Sequence, residues 1–150
     1  MLKEVFSETE IQAPAERVWQ VLTDFASYQE WNPFIRRIRG QPKEGKRLRV
    51  YIELPGAKGR IFRPKVLKAE PNRELRWLGQ LLIPGLFDGD HIFTIGHIGN
   101  KRVRFVQQEI FSGLLVSFLL HGMDMKIRLG FEQMNQALKL RAEQTCLFNP

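Results

Sequence analysis

The chain has 150 residues, of which 43% are hydrophobic and 26% charged, and its formal net charge is +7. This composition is typical of a folded globular protein and excludes the disordered and fibrous classes. A chain of this length buries roughly 68–70% of its unfolded surface, so we expect one domain over residues 1–150 with its core between about residues 5 and 143. The single cysteine, Cys146, excludes an internal disulfide or a site with several thiolate ligands.

No segment of the sequence indicates secretion or insertion into a membrane. The N-terminal segment MLKEVFSETE lacks the apolar centre of a signal peptide. The longest apolar run, residues 113–120, is far shorter than the ~20 residues that a spanning helix needs. We therefore expect a cytoplasmic protein.

In chain order, the first predicted elements are a strand over residues 5–11 and a short amphipathic helix over residues 15–23. Pro14 suits the first turn of this helix, where its missing N–H would have had no partner. Val18 and Leu22 share one face of the helix and face the core. An aromatic corner, Trp31-Asn32-Pro33-Phe34, then leads into the next strand.

Six more strands and one long helix complete the predicted elements. The strands are bounded by glycine and proline and cover residues 35–38, 48–54, 61–69, 75–82, 90–98 and 103–111. The helix covers residues 116–143, where apolar residues recur at spacings of three and four. This order indicates an α+β fold in which a curved, seven-stranded antiparallel sheet wraps around the C-terminal helix, with a short helical insert after the first strand.

The last two predicted strands allow a prediction about the faces of the sheet. Alternate residues of a strand share a face, which groups His91 with Phe93 on one strand and Gln107 with Glu109 on the other. The two apolar rows lie on the same face if the loop around residues 99–100 has three or five residues, or if a bulge shifts the register. His91, Gln107 and Glu109 then lie among aromatic residues on the concave face.

Three segments carry a resemblance to a known family. They are IQAPAERVWQVLTDFASYQEWNPF (residues 11–34), ELRW with PGLFDGDHIF (residues 74–77 and 84–93), and QQEIFSGLL (residues 107–115). Together they resemble the polyketide cyclase/dehydrase branch of the START-like (SRPBCC, helix-grip) superfamily, over about residues 5–143. The resemblance implies an elongated apolar cavity between the sheet and the C-terminal helix, which in this superfamily binds or transforms lipids, sterols, polyketides or quinones.

The residues that would line such a cavity come from the aromatic corner, the strands and the helix. Gly130 weakens the helix by up to ~1 kcal/mol relative to alanine, a cost easier to understand if a side chain there would fill a cavity or block close approach of the sheet. The alternative is that the same residues form an ordinary packed core. The candidate ligand-binding residues are Trp31, Phe34, Trp77, Phe87, His91, Phe93, Phe105, Gln107, Glu109, Phe111, Met123, Ile127, Gly130 and Met134.

His91 and Glu109 are the one neighbouring pair with acid–base potential. If the protein is an enzyme, we expect a cyclase, dehydratase or hydrolase that uses this pair without a cofactor. The favoured alternative is that Glu109 is hydrogen-bonded to His91 and helps to orient an apolar ligand in a carrier or sensor. A third alternative is a protein-interaction module similar to co-chaperones. A metal site is not expected, because the three histidines show no ligand spacing.

Positive charge is concentrated between Arg36 and Lys68. This segment contains twelve lysines and arginines and only two acidic residues, Glu44 and Glu53. We predict that these residues form a basic stripe across the second to fourth strands. The stripe is either a solvated outer face or a surface that attracts an anionic membrane or an acidic partner. Binding of nucleic acid is not favoured, because the stripe lacks interleaved aromatic residues for base stacking.

Overall fold

Two antiparallel sheets and a long C-terminal helix make up the structure, a computed structural model that describes residues 2–148 and the side chains of residues 2–144. The side chain of Cys146 lies outside the described part. The strands are β1 (Leu2–Ile11), β2 (Ile35–Arg39), β3 (Arg49–Ile52), β4 (Arg60–Phe62), β5 (Lys65–Glu70), β6 (Glu74–Gln80), β7 (Asp88–Gly99) and β8 (Arg102–Ser112). The helices are α1 (Ala15–Thr23), α2 (Tyr28–Trp31), α3 (Val116–Leu119) and α4 (Asp124–Phe148).

The predicted α+β class and antiparallel pairing are confirmed, but the prediction of seven strands in one sheet is wrong. Five strands form one sheet in the order β1-β8-β7-β6-β5, and β2-β3-β4 form a second. The strand predicted over residues 61–69 is divided at Pro64, which has no N–H to donate to a ladder. Before Pro64 the chain pairs with β3, and after it with β6. An isolated bridge between Arg47 and Lys65 joins the two sheets.

The hairpin of β7 and β8 confirms the predicted sharing of faces. His91 lies opposite Glu109, and Phe93 lies opposite Gln107, on the side of the sheet that holds the core. The connection is a two-residue turn combined with a register shift between His97 and Gly99, rather than a regular loop of three or five residues. A two-residue turn alone would have placed the apolar rows of β7 and β8 on opposite faces of the sheet. The register shift puts both rows on the same face.

The predicted helix over residues 116–143 is two helices in the structure. α3 ends at Leu119, and α4 begins at Asp124 after a turn in which Gly122 has a φ of 71°, a conformation that favours glycine. Ile127, Phe131 and Met134 of α4 face the core, as the three/four spacing predicts, whereas Met123 lies in the preceding turn and is half-buried.

Side chains of α4 align the helix along the edge strand β1. Arg128 donates a hydrogen bond to the carbonyl of Phe6, and Lys139 donates one to the carbonyl of Glu10. Lys3 forms an ion pair of 2.6 Å with Asp124 at the start of the helix, which lowers the pKa of the Asp124 carboxyl. The two elements therefore run in the same direction, and the first turns of α4 lie beside the start of β1.

The corner before β2 is held by Tyr28, a fully buried residue whose hydroxyl donates a hydrogen bond to the carbonyl of Leu22. Burial, assisted by the charge of Asp24, raises the pKa of this hydroxyl far above its usual range. The ring of Trp31 packs edge-on against Tyr28, with 5.1 Å between the centroids. The aromatic corner predicted from the sequence is therefore fixed to α1.

Phe34 occupies the space beside Gly130. A Cβ atom on Gly130 would lie 2.6 Å from Cδ1 of Phe34, whose ring also packs edge-on against Phe131 at 5.6 Å. Of the two explanations offered by the sequence, close approach accounts for this glycine, because an aromatic ring fills the position that a side chain would take.

We expect Gly130→Ala to lower the free energy of unfolding by about 1–2 kcal/mol. Alanine favours a helix by up to ~1 kcal/mol over glycine, but forcing a methyl group against a buried ring costs about 1–3 kcal/mol. Urea denaturation checks the sign. In a Phe34→Leu background the same substitution is expected to be neutral or stabilising, and an equal loss in both backgrounds would contradict the explanation by close approach.

Candidate functional site

An aromatic cluster surrounds His91 on the concave face of the five-stranded sheet. The imidazole stacks on Phe93 with 4.6 Å between the centroids, and it also contacts Trp77 at 5.4 Å and Phe131 at 5.2 Å. Phe105 continues the cluster behind Phe93 at 6.1 Å. The sheet supplies most of this wall, because Trp77, His91 and Phe93 are alternate or directly opposed residues of β6 and β7.

A chain of hydrogen bonds crosses this cluster. His91 Nε2 lies 2.9 Å from Gln107 Oε1, and Gln107 Nε2 donates to Asn135 Oδ1 at 2.8 Å. Asn135 Nδ2 donates in turn to the backbone carbonyl of Ser7 at 3.2 Å. His91, Gln107 and Asn135 are all buried, so each bond satisfies a polar group that would otherwise be costly to bury.

The direction of these hydrogen bonds defines which ring nitrogen of His91 carries a hydrogen. Because Gln107 uses its amide nitrogen for Asn135, its oxygen faces the imidazole and can only accept. His91 Nε2 therefore carries a hydrogen and donates it to Gln107, while Nδ1 faces Glu109. The orientation of both amides follows from this network.

Glu109 lies next to that free nitrogen. Its Oε1 atom is 3.5 Å from His91 Nδ1, which is too long for an ordinary hydrogen bond but close enough for charge pairing if the imidazole is protonated. The carboxylate has room because the neighbouring strand residue is Gly89, where a Cβ atom would lie 2.6 Å from Glu109 Oε2. The Glu109 side chain is 19% exposed, in contrast to the fully buried groups behind it.

The exposure of the predicted lining residues divides them into two groups. Phe93, Phe105, Gln107 and Met134 show no exposed surface, so they belong to the packed core and border no space that water can enter. The second group is less completely buried: Trp77, Phe111 and Ile127 are 4–6% exposed, and Phe87, Glu109 and Met123 are half-buried. Phe87 and Phe111 pack against each other at 5.8 Å in this second group.

The remaining predicted residues lie at the aromatic corner. Phe34 and Gly130 contact each other, and the Phe34 ring touches the central cluster through Phe131. Trp31 is half-buried beside Tyr28, and within the described residues its buried indole Nε1 has no hydrogen-bond partner. An unpaired buried donor of this kind is uncommon, since most such groups are satisfied.

Two surface depressions lie outside the predicted lining. One of about 530 Å³ runs beside α4 and is bordered by Pro33, Gln136 and Leu140. The other, of about 350 Å³, is bordered by Phe25, Arg37 and Gly40 at the start of the second sheet. Neither includes any of the residues that the sequence assigned to a cavity.

Asn135 is a residue of the site that the sequence analysis did not identify. A signal was present, because Asn135 lies four residues after Phe131 and eight after Ile127, on the apolar face of α4. A polar residue at such a position needs a buried partner. That its partner is Gln107 depends on how α4 packs against the sheet, which the local pattern does not specify.

The basic stripe lies largely on the exposed face of the second sheet. Arg37 and Arg39 alternate along β2, and Arg39 lies directly opposite Arg49 on β3. Like charges in a cross-strand pair are destabilising, so the pair of Arg39 and Arg49 lowers the stability of the second sheet. The stripe is therefore a real surface feature of the fold.

Two further properties concern the described residues only. Within residues 2–148, no helix is long and apolar enough to cross a membrane. In the same part of the chain, no group of three or more histidine, cysteine, aspartate or glutamate residues is arranged to hold a metal ion.

Residues 3–143 match the model of the family described as polyketide cyclase / dehydrase and lipid transport. The chain belongs to this family. No curated protein sequence matches it. Solved structures share the fold of this polyketide cyclase/dehydrase chain, the helix-grip fold that the sequence predicted.

Three solved structures illustrate the shared fold. The Zhui aromatase/cyclase from Streptomyces sp. R1128 has a TM-score of 0.75 at 14% identity, covering 96% of this chain and 95% of its own. A START superfamily protein from Mycobacterium smegmatis has a TM-score of 0.72 at 22% identity, covering 95% and 98%. Norcoclaurine synthase from Thalictrum flavum, in complex with dopamine and hydroxybenzaldehyde, has a TM-score of 0.73 at 12% identity, covering 96% and 88%. At these identities the likeness shows the fold alone.

Proposed function

We propose that this polyketide cyclase/dehydrase family member binds a small, mainly apolar molecule that carries one hydrogen-bonding group, and acts as a carrier or sensor. The ligand would lie between the five-stranded sheet and the first turns of α4. Its apolar body would contact Phe87, Phe111, Met123 and Ile127, and its polar group would contact Glu109. Members of the superfamily that hold lipids, sterols, polyketides or quinones make these classes the first candidates.

The observation that carries the proposal is the contrast between Glu109 and the polar groups behind it. Gln107 and Asn135 use their polar atoms on each other, on His91 and on a backbone carbonyl. Glu109, by comparison, is partly exposed, and its carboxylate lies beside His91 and Gly89 and close to the ring of Phe111. Ligand sites are typically apolar with a few placed polar groups, and this end of the interface has that character.

A catalytic role is the second candidate, because His91 Nδ1 and the Glu109 carboxylate lie 3.5 Å apart, beside the proposed ligand site. Such a pair is the minimum for general acid–base chemistry in a cyclase or dehydratase. We favour binding, because catalysis usually needs several convergent polar groups and the others here are already bonded to one another. The arginine-rich face of the second sheet would serve either role by attracting anionic surfaces or ligands.

Native mass spectrometry of gently purified protein tests the proposal directly. We expect a bound apolar compound, which solvent extraction would then identify. In a Met123→Trp variant the indole should fill the space beside Glu109 and lower the bound fraction about tenfold or more, because the ligand would then be excluded from that space. Leu140→Trp is the matched control, because Leu140 is exposed on α4 and lies outside the proposed site.

The proposal fails if no compound is retained and added lipids, quinones and polyketides also do not bind. It fails equally if Met123→Trp and Leu140→Trp retain the same amount of ligand as the unmodified protein, because the occupied space would then lie elsewhere.

A further inference from the structure

Large apolar side chains are exposed together at one end of the five-stranded sheet. Leu82 and Leu114 are 85% and 86% exposed, and Phe118 and Met125 are 79% and 77% exposed. We call this surface the apolar end, and its members are Leu2, Leu81, Leu82, Ile83, Leu114, Phe118 and Met125. Single exposed apolar residues are common, but a group of this size marks an interaction surface.

The sheet register explains why segments far apart in sequence meet there. Ser112, the last residue of β8, pairs with both Leu2 and Asp88, and Asp88 pairs with Gln80. The starts of β1 and β7 and the ends of β6 and β8 thus form one row. The loop after Gln80 and the segment after Ser112 both leave the sheet from this row.

Backbone hydrogen bonds join these two segments into one surface. The N–H of Leu114 donates to the carbonyl of Gly85 at 3.2 Å, and the N–H of Leu115 donates to the carbonyl of Leu86 at 2.9 Å. Gly113 permits this approach, because a Cβ atom there would lie 2.5 Å from the Leu86 carbonyl oxygen. The ion pair of Lys3 with Asp124 brings the first turn of α4, and with it Met125, to the same end.

Basic residues lie beside the apolar end. Arg63 and Lys65 flank Pro64, which lies against the end of β6 at Gly79, and Lys126 follows Met125 in α4. Among the described residues, these three exposed side chains have no acidic partner. The nearby acids are already engaged, since Asp124 pairs with Lys3 and Asp88 accepts from the N–H of Gly85.

We propose that the apolar end docks on the surface of an anionic lipid bilayer. Its leucine and phenylalanine side chains would enter the interface between headgroups and acyl chains, while Arg63, Lys65 and Lys126 contact the negatively charged headgroups. A second copy of the chain is the weaker occupant, because a two-fold interface would place these unpaired basic residues against their own counterparts. The bilayer matches both the apolar and the basic character of the surface.

Docking would also bring the proposed ligand site to the membrane. Phe87 belongs to the loop that carries Leu82 and Ile83, and it packs on Phe111 at the border of the site. Docking of the apolar end is nevertheless independent of what the site binds, so a failure of one does not decide the other.

Co-sedimentation of the full chain with vesicles tests the inference. Vesicles of phosphatidylcholine with phosphatidylserine should bind the protein, and vesicles of phosphatidylcholine alone should bind it less. A double variant, Leu82→Gln with Leu114→Gln, should lower binding about tenfold or more, because two exposed apolar side chains are removed. Leu140→Gln is its control, since Leu140 is exposed on α4 about 20 Å further along the helix from Met125.

Substitution of charge gives a second, independent readout. Lys65→Gln should lower binding to the anionic vesicles about threefold to fivefold at low salt and have little effect at high salt. Lys101→Gln is its control, because Lys101 is exposed in the turn at the opposite end of the sheet. All five substituted positions are exposed, so thermal unfolding should be nearly unchanged.

Three results would overturn the inference. The first is no binding of the unmodified protein to anionic vesicles. The second is equal binding by the Leu82/Leu114 variant and by Leu140→Gln. The third is a dimer in sedimentation velocity that the Leu82/Leu114 variant dissociates, without any vesicle binding, which would assign the apolar end to self-association.

Discussion

His91→Gln is expected to weaken binding of the co-purifying apolar compound about 5- to 150-fold. The substitution removes the imidazole that faces Glu109, the group proposed to contact the ligand, and loss of a polar interaction of this kind costs about 1–3 kcal/mol. Isothermal titration of ligand-free protein measures this loss. If His91 were instead a general acid or base, turnover would fall roughly 100- to 10,000-fold while binding stayed nearly intact.

Glu109→Gln is the matched comparison for His91→Gln. It keeps the size of the side chain beside Gly89 but removes the negative charge that faces Nδ1. If the protein only binds its ligand, both variants should have a lower affinity for it, and the unmodified protein should not convert the ligand into a product. A His91→Gln protein that binds its ligand normally yet fails to convert it would establish the enzyme alternative and contradict our proposal.

Asn135→Leu is expected to lower the free energy of unfolding by about 2–5 kcal/mol. Leucine has nearly the same size and favours a helix, so the loss comes from the hydrogen bonds. It leaves the buried amide of Gln107 and the carbonyl of Ser7 without partners, and each such group costs about 1–3 kcal/mol. Chemical denaturation with intrinsic tryptophan fluorescence gives the value.

Lys139→Met provides the control for Asn135→Leu. Lys139 also donates from α4 to a carbonyl of β1, at 2.8 Å, but it is partly exposed and water can replace it. We expect a loss below about 1 kcal/mol. Equal losses of unfolding free energy in the two variants would mean that burial does not determine how much the hydrogen bonds from His91 to Ser7 contribute to stability.

His91→Gln and Asn135→Leu also distinguish residues that support the fold from residues that recognise the ligand. Asn135 lies at the far end of the hydrogen-bond chain from Glu109, so its loss should affect folding before it affects the ligand. His91 lies at the junction, where it contacts both the packed cluster and the partly exposed carboxylate. We expect Asn135→Leu to lower mainly the free energy of unfolding and His91→Gln to lower mainly the affinity for the ligand. This outcome would mean that the buried hydrogen bonds support the fold, while the contact of His91 with Glu109 affects binding.

Much of the local structure could be predicted from the sequence, because it depends on short-range periodicity. The alternation along β7 and β8 placed His91, Gln107 and Glu109 on the core face, and the spacing in α4 placed Ile127 and Phe131 there. The segment from residue 11 to 34 identified the family whose model matches residues 3–143.

The sequence by itself determined the class of the fold, the face of each strand and the family. Only the tertiary structure decided that the chain changes sheets at Pro64, that Phe34 fills the space beside Gly130, and that Gln107 bonds to Asn135. It alone brought Leu82 and Leu114 to one surface. Periodicity assigns each residue to a face of its own element, whereas these contacts join elements far apart in sequence and depend on how the helix and both sheets pack.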